Sequence, residues 1–193
     1  ICNLAILGAV LDRLACEIRN LQRPEIMELA EPSDTEQVGS STMPHKVNPI
    51  MCEKVSGLAR LLRGLASSAI ENIVLWHERD LSNSSYERIV LPHVFFAIDE
   101  MLNTMLKVIS DLRVYPNRML KNLVLSRGRI MAEALVVKLT LKGLPRQEAY
   151  DHVRMLTFKS LKEDRTLKDI ALEDKLVRSM LDVSEVNETF NYR

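Results

Sequence analysis

Three apolar stripes with helical spacing constrain this chain more than any other feature. Residues 1–22 place Leu4, Leu7, Leu11, Leu14, Ile18 and Leu21 three and four apart. A second stripe runs Met51, Val55, Leu58, Leu62, Leu65, Ala69 and Ile73, and a third Leu91, Phe95, Ile98, Leu102, Met105, Ile109 and Leu112. That spacing returns each side chain to one face of an α-helix. Long faces of this kind satisfy one another when helices pack at shallow angles, so a helical bundle is expected. No stretch alternates with period two over a useful length, which argues against a sheet. Pro92 falls inside the third stripe and should kink that helix or mark a break near its start.

The pattern changes after Leu112. Tyr115-Pro116-Asn117 is a turn signal, and shorter amphipathic segments follow at roughly 117–125, 128–142, 145–161 and 166–181. Gly143 is placed to stop the second of these and Pro145 to start the third. The last residues, Asn191-Tyr192-Arg193, suggest no further element. The expected organisation is therefore all-α: a long-helix bundle over 1–112 and a smaller helical domain over 113–193.

Composition narrows the partners. Lys+Arg and Asp+Glu number 26 each, so the formal net charge is zero. A nucleic-acid partner held by bulk charge is disfavoured. Hydrophobic residues make up 47% of the chain but aromatics only 5%, a balance suited to helix-on-helix packing. Cys2, Cys16 and Cys52 form no close pair, which fits reduced thiols in the cytoplasm better than a disulfide framework or a zinc site. No apolar run is read as approaching the ~20 residues that span a membrane, and no basic leader precedes the first apolar residues.

Between the first two stripes lies Gly39-Ser40-Ser41-Thr42-Met43-Pro44-His45-Lys46-Val47-Asn48-Pro49. Asn48 sits where an N-cap belongs and Pro49 suits the first helical position. The free N–H groups and dipole of the following helix, with the Lys46 ammonium, form an arrangement able to hold a carboxylate. The plainer alternative is an ordinary cap beside a solvated lysine. A second cluster spans Trp76-His77-Glu78-Arg79-Asp80-Leu81-Ser82-Asn83-Ser84-Ser85-Tyr86-Glu87-Arg88. Ser84 and Glu87 read as a capping box, Ser84 and Arg88 share one helical face, and Arg79 precedes them in the turn. Two guanidinium groups, a hydroxyl and a helix N-terminus suit a phosphate. The plainer alternative is a capped helix with surface ion pairs among Glu78, Arg79, Asp80, Glu87 and Arg88.

The run from Gly39 to Pro49 resembles the signature of the fumarase/aspartase superfamily, G-S-S-x-M-P-x-K-x-N-P, at every fixed position. That resemblance implies β-elimination of fumarate without cofactor or metal. Ser40 is the implied base, with Ser41 beside it. Lys46 and Asn48 match the residues that hold the substrate carboxylates. Glu53 matches a carboxylate that supports the catalytic histidine. The wording from Trp76 onward resembles the adenylosuccinate lyase family, in which the residues matching Arg79, Ser84 and Arg88 bind a nucleotide phosphate. The implied substrates are adenylosuccinate, split into AMP and fumarate, and the succinylated aminoimidazole carboxamide ribotide SAICAR, split into AICAR and fumarate. The resemblance also implies a homotetramer whose active sites draw on several subunits.

Such an elimination forms a dianionic intermediate, so cations and N–H donors must face the developing charge, and a closing loop would exclude water. His45, His77, His93 and His152 do not match the family's catalytic histidine, which is expected upstream of Ile1. This chain alone is therefore expected to be inactive. Two other readings stay open: another fumarate-releasing lyase or cycloisomerase of the superfamily, and a helical scaffold without catalysis.

Overall fold

A computed structural model describes residues 1–32 and 47–192. Among them the chain forms nine α-helices and two two-residue strands, in two compact units, Ile1–Arg118 and Met119–Arg193. In the first unit, α1 (Cys2–Leu21), α2 (Ile50–Ile70) and α3 (Leu81–Ser110) build the three-helix layer that the stripes predict. Their shared core contains Ala5, Ala15, Ile18, Val55, Ala59, Leu62, Val94, Met101 and Val108. Fully burying a side chain such as Leu62 contributes about 1.5–3 kcal/mol.

The buried face is not always the leucine stripe. Helix α1 turns Ala5, Gly8, Ala15 and Ile18 inward, while Leu7 and Leu14 remain exposed. Small residues allow close approach: a Cβ on Gly8 would lie 2.7 Å from Leu62 Cδ1. In α3 the inward line is Val90, Val94, Ala97, Met101, Thr104 and Val108, with Ile98 and Met105 beside it. Leu91, Phe95, Leu102 and Ile109 of the expected stripe face outward. That helix is apolar on more than one face, so periodicity alone could not choose between adjacent lines.

Helix α3 bears on two expectations. It runs without a break through Pro92. Pro92 lacks an N–H to donate to the Arg88 carbonyl, but both residues are exposed, where water can satisfy that oxygen. By length and composition, α3 is apolar enough to cross a membrane, with a window of mean hydropathy 1.3. Nine of its residues are buried, as in the core helix of a bundle.

Strands β1 (Leu29–Ala30) and β2 (Arg113–Val114) pair antiparallel, Leu29 opposite Val114 and Ala30 opposite Arg113. The Tyr115 amide donates to Glu28 O at 3.0 Å, and the Arg118 guanidinium donates to the carbonyls of Ile26, Pro24 and Glu25 at 3.0–3.2 Å. These bonds carry the first unit to Arg118, six residues past the boundary expected from the sequence.

The division falls within α4 (Pro116–Leu125). The second unit continues through a 3-10 turn at Arg129–Met131, α5 (Ala132–Leu141) and α6 (Arg146–Glu163). Gly143, at φ 104°, ends α5 as expected, with Leu144 N donating back to Leu139 O. The single helix expected at 166–181 is two, α7 (Leu167–Glu173) and α8 (Lys175–Met180). Asp174 is extended between them, and its carboxylate accepts from Val177 N at 2.9 Å. A ninth helix, α9 (Val183–Thr189), was not expected. Its capping box, Asp182 with Glu185, is legible in the sequence, but the helix has only 7 residues and too little periodicity to show.

Candidate active site

Ser40, Ser41, His45 and Lys46 lie outside the described residues. The downstream end of their loop is described, and it corrects the expected cap. Helix α2 starts at Ile50, with Pro49 at the cap position and no side-chain bond from the cap residue. Asn48 is half-buried, and its carbonyl accepts from Ile50 N at 2.9 Å. The capping carboxylate comes from elsewhere. Glu31, only 3% exposed, accepts from Met51 N through one oxygen and Cys52 N through the other, each at 3.0 Å. Its own N–H donates to the buried Gln22 side chain at 2.9 Å. The start of α2 is therefore already occupied by an anion. Its first N–H groups are thus already bonded within the chain. Glu53 is exposed in the first turn of α2. Sequence reading missed Glu31 because a cap supplied from 19 residues before Ile50 leaves no local spacing signal.

The second cluster is also capped differently from expectation. Asp80, not Ser84, is the N-cap of α3, in a capping box with Asn83. Its carboxylate accepts from the Ser82 amide at 2.8 Å and the Ser82 hydroxyl at 2.5 Å. Those bonds, the hydroxyl's first, hold the Asp80 carboxyl below its usual range. Ser84 and Glu87 are left for another use. Arg79 donates through Nη1 to Ser84 Oγ at 2.9 Å and through Nη2 to Glu87 Oε2. Arg88 is exposed one helical turn past Ser84. The arrangement joins both sequence readings: Arg79 and Ser84 meet, and an ion pair holds them.

The two clusters lie far apart along the chain's own helices. Helices α2 and α3 run antiparallel: the Tyr86 hydroxyl donates to Leu65 O at 3.0 Å, while Lys54 pairs with Glu100 at 2.5 Å. Ser84 is sixteen residues before Glu100, a rise of roughly 24 Å. Asn48 and Glu53 thus sit at the opposite end of the layer from Arg79 and Ser84.

Residues 2–64 match the lyase family, and residues 128–193 match the family described as adenylosuccinate lyase C-terminus. The chain belongs to the adenylosuccinate lyase family. The adenylosuccinate lyase of Pyrococcus horikoshii is 49% identical over 185 residues, covering 96% of this chain and 41% of that protein. The adenylosuccinate lyase of Methanothermobacter thermautotrophicus is 47% identical over 189 residues, covering 97% of this chain and 42% of that protein. The chain thus spans about two fifths of the length of these relatives. Among solved structures, the 3-carboxy-cis,cis-muconate lactonizing enzyme of Pseudomonas putida matches with a TM-score of 0.86 at 28% identity, over 97% of this chain and 42% of its own. This structural neighbour therefore shares the helical fold of the chain.

Proposed function

We propose that the protein carrying this chain is a cytoplasmic adenylosuccinate lyase, releasing fumarate from adenylosuccinate and from SAICAR by β-elimination. In this reading Ser40 removes the proton beside the succinyl carboxylate. Lys46 and Asn48 hold the carboxylates on which negative charge develops. Glu53 supports the histidine that protonates the departing nitrogen. Arg79, Ser84 and Arg88 take the nucleotide phosphate. The observation that carries the nucleotide assignment is Arg79 already bonded to Ser84, one turn from Arg88, because a succinyl substrate without phosphate has no use for that cluster.

The separation of the two clusters supports active sites shared between subunits. Roughly 24 Å exceeds what one mononucleotide can bridge, so a single substrate would draw its phosphate grip and its carboxylate grip from different copies. Outward-facing apolar side chains on the long helices, including Ile6, Val10, Phe96 and Leu106, support the helix-to-helix assembly this needs, a homotetramer in our reading.

The test is AMP affinity of the full-length protein, wild type against Arg88→Ala. Loss of one charge-assisted phosphate contact should weaken AMP about 10- to 100-fold. The structural likeness to the 3-carboxy-cis,cis-muconate lactonizing enzyme favours a second reading: an enzyme of the superfamily acting on a phosphate-free acid. Unchanged AMP affinity in Arg88→Ala, with equally good binding of phosphate-free succinyl compounds, would establish that second reading instead.

A further inference from the structure

Among the features beside the two clusters that attract anions are the N-terminus of α2, the N-terminus of α3 and the Arg79 guanidinium. Each is met by a carboxylate of the chain itself, Glu31, Asp80 and Glu87 respectively. They differ in how readily they can leave. Glu31 is buried and bound through both oxygens to backbone amides. Asp80 is fixed in its capping box by an amide and a hydroxyl. Glu87 is held by a side chain, and the pair is open to water, with Arg79 53% and Glu87 38% exposed.

We propose that Glu87 is a stand-in anion: it occupies the Arg79 guanidinium beside Ser84 and is displaced when the nucleotide phosphate arrives. The inference rests on the phosphate assignment above. An exposed carboxylate–guanidinium pair is weak, worth at most about a fivefold change in an equilibrium. A phosphate carries close to two charges and three acceptor oxygens, so it can engage Arg79, Ser84 and Arg88 together where Glu87 engages Arg79 alone. The exchange frees the Glu87 side chain to turn toward solvent, with no change in the helix that carries it. Binding specificity follows from the same arrangement. A ligand without phosphate cannot displace Glu87, and Arg79 then stays paired.

Glu87 is thus a competitor for Arg79, and that role predicts an effect that an ordinary surface ion pair does not. In the full-length protein, Glu87→Gln removes the competitor and should tighten AMP about two- to fivefold, the scale of one exposed pair, while adenosine binding is unchanged. In an Arg79→Ala background the same substitution should have no further effect on AMP, because the guanidinium it competes for is gone. Calorimetric titration with AMP and adenosine reads each case. AMP affinity unchanged or weakened in Glu87→Gln, with Arg88→Ala still impairing AMP, overturns the stand-in role and leaves the phosphate site intact. A gain that persists in the Arg79→Ala background also overturns it, since Glu87 would then act on the phosphate directly. If Arg88→Ala and Glu87→Gln both leave AMP affinity unchanged, the phosphate assignment falls, and this inference with it.

Discussion

Replacing Glu31 by alanine should loosen the start of α2. The carboxylate receives two backbone N–H groups at 3.0 Å, from Met51 and Cys52, at a site 3% exposed. A hydrogen bond to a charged group contributes about 1.5–3 kcal/mol, and loss of a helix N-cap costs about 0.5–2 kcal/mol. The two bonds share one carboxylate and water can partly replace it, so the local cost should be about 3 kcal/mol, a factor of roughly 100 in the opening equilibrium. Amide hydrogen exchange reads this directly. In Glu31→Ala, the Met51 and Cys52 amides should exchange about 100-fold faster while Leu62 and Met101 retain their protection. Glu31→Gln is the sharper control. Its side chain keeps one acceptor oxygen and turns an NH2 toward the other amide, so one of the two amides should stay protected and the other should not. If both keep wild-type protection in Glu31→Ala, Glu31 does not cap α2.

Two further perturbations test the packing of the first unit. Burial, and then the nearby Glu31 carboxylate, push the Cys52 thiol from its ordinary 9.0 up to about 12. Exposed Cys2 and Cys16 should therefore alkylate at pH 9 while Cys52 stays inert until denaturant is added. Because the folded-state value is raised, the stability linked to Cys52 is present below pH 9 and lost as pH rises toward 12, which melting curves across that range would reveal. Gly8→Ala should lower thermal stability by about 1–3 kcal/mol, since its Cβ would meet the packed Leu62 Cδ1 at 2.7 Å, and a wild-type melting temperature would refute the close α1–α2 approach.

The features legible in the sequence were those governed by local periodicity. Helices α1, α2, α3 and α6 follow from three-and-four spacing, and Gly143 marks a stop because φ 104° suits a residue without a Cβ. Less legible was which face of an apolar helix turns inward. In α3, Val94 and Phe95 are adjacent in sequence and equally hydrophobic in pattern, yet Val94 is fully buried and Phe95 is exposed. The choice depends on the shapes of α1 and α2, where Ala15 and Ala59 leave room for a close approach. The caps show the same division. Asp182 and Glu185 are a local pair and could be read, whereas Glu31 reaches α2 across 19 residues. In the candidate site, Arg79 and Ser84 were picked out correctly as neighbours, but the role first given to Ser84, capping, belongs to Asp80.

These carboxylates also bear on how an anionic substrate would be recognised. A helix N-terminus favours negative charge whether the anion is a ligand or a side chain, so an N-terminus beside a signature motif is not in itself evidence for a substrate site. In this chain both long helices that follow loops have their first amides filled, α2 by Glu31 and α3 by Asp80. In the proposed reading, the phosphate and carboxylates of the substrate would then be held by side-chain cations, which can exchange partners. Backbone amides serve instead to fix where those cations stand. The proposed division of labour is that Glu31 and Asp80 cap α2 and α3 while Arg79, held only through side chains, is the group that would pass from one anion to another.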